Sequence, residues 1–208
     1  MSIKKILPSE IEKESFRIIR AELKEMGKKI PETIEPTVIR VIHTTADFEY
    51  ADTMRFSDGA VEKIKEAIRA GAHIVTDTNM ALSGISKKTL ERFGGAAHCF
   101  MADEDVAKAA SERQVTRAYV SMEKATGLKV PAIFAVGNAP TALLRLRELY
   151  DNEGFRPEAI IAVPVGFVNV VEAKELILDM DVPYIVNLGR KGGSTVAAAI
   201  CNSILYNM

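Results

Sequence analysis

The chain contains no tryptophan, only two cysteines and only three histidines, and aromatic residues make up 6% of it. Each scarcity excludes something. With so few rings, a stacking platform for single-stranded nucleic acid is not expected. Cys99 and Cys201 show no CxxC or other metal-ligand spacing, so both read as small buried hydrophobes rather than ligands or a disulfide. His43, His73 and His98 are scattered, without an HExxH motif or a close carboxylate set, and no metal centre is expected. There is no GxSxG elbow, which argues against a Ser-His-Asp hydrolase. The net charge is -1, so bulk electrostatics do not mark a polyanion binder. No apolar run approaches the ~18 residues of a membrane span. The first residues lack the apolar core of a signal peptide, which makes the cytosol the expected location.

What is present is an alternation. The chain has 208 residues, 48% of them hydrophobic, enough for one domain with a well-covered core. Short apolar stretches at His73–Thr76, Ala97–Phe100, Pro131–Val136, Ala159–Val163 and Tyr184–Asn187 read as strands. Amphipathic helices are expected between them: Ser57–Ala70, Asp103–Arg113, Thr116–Thr126, Thr141–Tyr150, Asn169–Met180 and Thr195–Tyr206. Such alternation predicts an α/β fold, with a mostly parallel sheet of about five strands and helices on both faces. The first ~55 residues read as a helical N-terminal appendage without a clear strand. Ser9 and Glu12 have capping-box spacing, and Phe16, Ile19, Leu23 and Met26 form one stripe of the helix that follows. The aromatics between Phe48 and Phe56 suit a core position.

Ligands of open α/β sheets bind beyond the carboxyl ends of the strands. Four such ends carry polar or glycine-rich turns: Asp77-Thr78-Asn79, Gly137-Asn138-Ala139-Pro140, Pro164-Val165-Gly166-Phe167 and Gly189-Arg190-Lys191-Gly192-Gly193-Ser194. Glycines and helix N-termini offer backbone N–H groups to an anion. The last turn matches neither the P-loop nor the dinucleotide fingerprint. Its Arg190 and Lys191 suit carboxylates and phosphates equally. Upstream, Val38, Val41 and Ile42 make an apolar helical stripe, and Arg40 and His43 share a neighbouring face with Asp47 a turn further on. That arrangement suits an acid/base group beside an anion. It is equally the pattern of an ordinary amphipathic surface helix.

Read together, five segments resemble the precorrin-8 methylmutase (precorrin isomerase) family of cobalamin biosynthesis. They are Glu14-Ser15-Phe16-Arg17-Ile18-Ile19-Arg20-Ala21-Glu22, Arg40-Val41-Ile42-His43, Gly137 to Leu143, Pro164 to Val168 and Gly189 to Ser194. They are spread in order over nearly the whole chain. The resemblance implies a homodimeric α/β isomerase that moves a methyl group from C-11 to C-12 of a corrinoid precursor. It implies no added cofactor, any cobalt belonging to the substrate. It implies His43 as the proton donor and acceptor, and Ser15, Arg40 and Arg117 as substrate contacts. Gly137, Asn138, Arg190, Lys191, Gly192, Gly193 and Ser194 complete the expected binding set. Asp47 lies in a variable stretch and carries no role over. Two readings of other classes stay open from the residues alone: a phosphate- or nucleotide-binding α/β enzyme, and a non-catalytic tetrapyrrole carrier.

Overall fold

A computed structural model describes residues 6–208. The expected strands are present as β2 (His73–Thr76), β3 (Ala97–His98), β4 (Ala132–Val136), β5 (Ala159–Ala162) and β6 (Tyr184–Asn187). A sixth, β1 (Met54–Phe56), was not foreseen. It has three residues, too few for a visible period, and forms by pairing antiparallel with β6. The sheet order is β1-β6-β5-β4-β2-β3, and every pairing other than β1 with β6 is parallel.

The helices are α1 (Ile11–Glu25), α2 (Glu35–Thr45), α3 (Tyr50–Thr53), α4 (Ala60–Arg69), α5 (Asn79–Gly84), α6 (Lys87–Glu91), α7 (Glu104–Arg113), α8 (Arg117–Thr126), α9 (Pro140–Glu153), α10 (Val170–Leu178) and α11 (Ser194–Tyr206). Period-two alternation divides them into two layers. Ile74, Ile133, Ile161 and Ile185 point to one side, where α1, α2, α4 and α11 supply Ile19, Val38, Ile64 and Ile200. Val75, Phe134, Ile160 and Val186 point to the other, against Met122, Leu143 and Ile177 of α8, α9 and α10. Strands covered on both faces must be apolar throughout, and β4 and β5 are buried at every position. Each such Ile or Phe contributes about 1.5–3 kcal/mol by leaving water.

Two helix starts differ from the sequence expectation. Ser9 lies in a 3-10 turn (Pro8–Glu10), and neither it nor Glu12 caps α1; Glu12 pairs with Arg40 instead. Ser57 does not cap α4, which starts at Ala60 after Gly59 in the left-handed region; the Ser57 hydroxyl accepts the Tyr184 amide. Both side chains found partners in tertiary contacts that no local pattern contains. Met26, expected on the α1 stripe, is the helix's C-cap and is exposed. Phe48, Tyr50 and Phe56 do join the core.

Helix α2 is placed by its apolar stripe. Val38, Ile39, Val41 and Ile42 are buried, and the helix lies along α11 with Thr37 Oγ1 and Ser203 Oγ joined at 2.9 Å. Ala46 (φ 54°) ends it in the left-handed conformation. This packing leaves Arg40, His43 and Thr44 outside the buried stripe, with Thr44 and Arg40 bordering a hollow along α11 from Thr195 to Asn202.

Candidate active site

The outward stripe of α2 carries a small cluster. Phe16 of α1 meets the His43 ring edge-on, with centroids 5.3 Å apart. The Arg40 guanidinium lies 5.2 Å from the Phe16 ring and 5.2 Å from the Tyr206 ring, and donates to Glu12 at 2.9 Å. Two rings and one carboxylate hold the fork nearly rigid, and its side chain is only 13% exposed. Most of its five N–H donors remain for a ligand. His43 itself is exposed. Ser15 lies beside Phe16 on α1, its hydroxyl bonded back to the Ile11 carbonyl at 2.9 Å.

Two hollows open on either side of Arg40. One, of about 270 Å³, runs over Thr44, Met80, Gly84, Thr195 and Asn202. The other, of about 400 Å³, is bounded by Glu12, Phe16, Arg20 and Tyr206. A larger hollow of about 470 Å³ lies at the opposite end of the sheet, around Pro157 and Pro183, which precede β5 and β6. Size alone would favour it. The chemistry favours the carboxyl ends of the strands, where the α2 stripe meets the glycine-rich turns.

Those turns are packed against one another. A methyl group at Gly192 would stand 2.1 Å from the Val163 carbonyl oxygen, and one at Gly137 would stand 2.7 Å from Ser194 Cα. Only glycine permits either approach. The hydroxyls of Thr78 and Ser194 meet at 2.7 Å, and the Gly193 amide donates to Val163 O at 2.9 Å.

The Gly137 turn is not the open anion nest its composition suggests. The buried Asp77 carboxylate accepts the amides of Gly137 (2.9 Å), Asn138 (2.8 Å) and Ala139 (2.6 Å). Burial raises the Asp77 pKa, and the three amide bonds pull against that rise. Gly137 is buried with its amide committed; Asn138 keeps only its exposed side chain for a ligand.

The Gly189-to-Ser194 turn is built the other way. Lys174 of α10 is 0% exposed, and its Nζ donates to the carbonyls of Gly189 and Lys191 at 2.8 Å each. Burial pushes its pKa down to about 8. Asn187 Nδ2 donates to the carbonyls of Leu188 (3.2 Å) and Lys191 (2.9 Å), and the Gly166 amide to that of Arg190. The Arg190 guanidinium lies over the exposed Phe167 ring at 5.4 Å. The Lys191 ammonium bonds Asp47, and Glu49 at 2.8 Å, so this cation is already paired. Those bonds, Asp47 first, hold its pKa above the ordinary lysine value.

Arg40 and His43 therefore come together against Phe16, the chain neighbour of Ser15, and Gly192, Gly193 and Ser194 lie at the start of the helix that α2 packs on. Arg117 does not join them. It opens α8 in the other layer, where Thr116 Oγ1 and Thr141 Oγ1 meet at 2.7 Å beyond β4. Among the described residues no contact links it to Arg40 or His43. Asp77 and Lys174 were missed as organisers of the site. Lys174 left a signal: it interrupts the apolar phase of Val170, Ala173 and Ile177, where a lysine is out of place unless its charge has work inside.

The described residues contain no group of three or more His, Cys, Asp or Glu able to hold a metal ion. None of their helices is long and apolar enough to cross a membrane.

Comparison with known proteins decides between the readings left open. The family description "Precorrin-8X methylmutase" matches residues 10–207. The chain belongs to the precorrin-8X methylmutase family. It is 43% identical to the cobalt-precorrin-8 methylmutase of Priestia megaterium, over 96% of this chain and 88% of that protein. It is 41% identical to the protein of that name from Salmonella typhimurium, over 97% and 96%. The precorrin-8X methylmutase of Pseudomonas aeruginosa is 36% identical over 93% of each. The crystal structure of precorrin-8x methyl mutase from Thermus thermophilus superposes with a TM-score of 0.84 at 42% identity, covering 95% of this chain and 96% of that one. As a member of this family the chain is an isomerase of cobalamin biosynthesis, which removes the phosphate-enzyme and carrier readings.

Proposed function

We propose that this methylmutase moves a methyl group from C-11 to C-12 of precorrin-8 or its cobalt form, with His43 giving and retrieving the proton. The observation that carries the reading is the pair on α2: a clamped, nearly buried Arg40 fork that borders two open hollows, one turn from an exposed His43.

The chemistry fits that equipment. The substrate is a large conjugated ring fringed by carboxylate arms. A bidentate arginine recognises such arms with strong, directional bonds. The methyl shift breaks one C–C bond and makes another within the same molecule, so no nucleophile or hydride carrier is consumed. A proton placed on the conjugated system makes the migration terminus more electron-poor, and the shift then proceeds. His43 takes the proton back, and the balance closes on an isomer. Histidine is the side chain suited to both directions near neutral pH, and such acid catalysis is worth about 10²–10⁴-fold. Holding the ring in a reactive shape supplies more. The reading requires no added cofactor; cobalt, where present, enters as part of the substrate.

The reading also includes a homodimer working in the cytoplasm. Its support is the exposure of Met80 (68%), Phe167 (82%) and Val168 (75%) near the carboxyl ends of the strands. Large apolar side chains left so open are the material of an interface.

The test is anaerobic incubation with precorrin-8 and with its cobalt form, followed by absorption spectroscopy. Catalytic conversion to the red-shifted corrin spectrum is expected from the wild type. For His43→Ala, which is exposed and should stay folded, the rate should fall about 10²–10⁴-fold. Normal turnover by that variant would remove His43 from the mechanism.

A further inference from the structure

Lys174 is a fully buried cation whose hydrogen bonds go to carbonyl oxygens. Desolvating an ammonium costs several kcal/mol, so a fold that keeps one inside must use its bonds. Those bonds dictate the orientation of a turn. In a planar trans peptide the carbonyl and the following N–H point in opposite directions. Lys174 draws the Gly189 and Lys191 carbonyls inward, which sends the Arg190 and Gly192 amides outward. The Gly166 amide holds the Arg190 carbonyl, and the Lys191 amide turns the other way. Among the described residues no protein acceptor meets these three amides. Asp77 does the reverse at the neighbouring turn, where the amides are drawn in.

We infer that Lys174 is a positioning residue for substrate carboxylates: it sets the peptide orientation that presents the Arg190, Lys191 and Gly192 amides to them. The inference rests on the methylmutase reading and names the group that builds its carboxylate subsite. Lys174 does not touch the substrate. It acts through backbone that is kept close-packed by Gly192, whose place against Val163 admits no side chain.

Lys174→Met keeps length and bulk and removes the donors. Lys174→Gln keeps a shorter, neutral donor. For the Met variant, KM and the Kd of the corrinoid product hydrogenobyrinic acid should rise about tenfold while kcat stays within about threefold, the pattern of lost uniform binding. The Gln variant should fall between it and the wild type. A purely structural lysine would lower melting temperature and active fraction, reducing kcat at unchanged KM, and that result overturns the inference. Should both variants fail to fold, amide exchange in the wild type decides. Saturating hydrogenobyrinic acid should slow exchange at Arg190 and Gly192 and leave Asn138 and Ala139 unchanged. No slowing at Arg190 and Gly192 overturns it equally. A wild type that neither binds nor converts corrinoids brings down the functional reading and this inference with it. A wild type that converts them, with variants of unchanged KM, brings down the inference alone.

Discussion

Two glycine-containing turns meet at the carboxyl end of the sheet, and they are wired with opposite polarity. At Gly137-Asn138-Ala139 a buried carboxylate, Asp77, collects three amides. At Gly189 to Ser194 a buried ammonium, Lys174, collects two carbonyls. Composition makes both turns look like anion nests, yet among the described residues only the second leaves a run of amides free, those of Arg190, Lys191 and Gly192. An anion site is decided by which half of each peptide the interior has already claimed. Helix α2 lies along α11, with Arg40 against Tyr206 at the far end of that helix, and the chain just after α2 meets the receptive turn where Asp47 pairs with Lys191.

The sharpest way to break this comparison is Gly192→Ala. Its Cβ would fall 2.1 Å from a backbone oxygen, which no rotamer can relieve. The receptive turn must move, at a cost on the order of 2 kcal/mol or more from overpacking. Product affinity, followed by absorption titration, should drop about thirtyfold. Asp77→Asn should do the opposite. Replacing an acceptor-only carboxylate with a group that is half donor disrupts three charge-assisted bonds, a loss on the order of 3 kcal/mol. The melting temperature should fall roughly 6–12 °C. The affinity of the folded fraction for the product should stay within about threefold of the wild type. Equal effects of the two substitutions on affinity would dissolve the distinction between the turns.

The smallest effect calibrates pH experiments on both. His73 Nδ1 and His98 Nε2 lie 2.8 Å apart at the β2–β3 edge, and His98 stacks on Phe100. Burial, and then the His73 charge, lower the His98 pKa below 6.5. The folded state therefore binds this proton less readily than the unfolded chain. Its stability contribution is present above pH 6.5 and is lost as the pH falls through the folded value. His98→Phe should flatten the decline of melting temperature on the acid side of pH 6.5 and leave product affinity untouched.

Much of this was legible in the sequence. Five strands and the two layers follow from short apolar runs and alternating helices, because buried parallel strands must be apolar on both faces. Arg40 and His43 were legible because one stripe of α2 is apolar and the other is not. The rest depended on distant partners. Strand β1 exists only by pairing with β6, and Ser57 was claimed by Tyr184 rather than by its own helix. The commitment of the Gly137 amides required Asp77, which lies 60 positions away. Arg117 stands in the other layer, and nothing along the chain reveals that separation.

The most direct test of the account is a crystal structure with hydrogenobyrinic acid bound. The account predicts the ring beside Arg40 and His43, with carboxylate arms on the Arg190, Lys191 and Gly192 amides and none on those of Gly137 to Ala139. A ring bound at the opposite end of the sheet, in the hollow around Pro157 and Pro183, would contradict it, as would arms that displace Asp77 from the Gly137 turn.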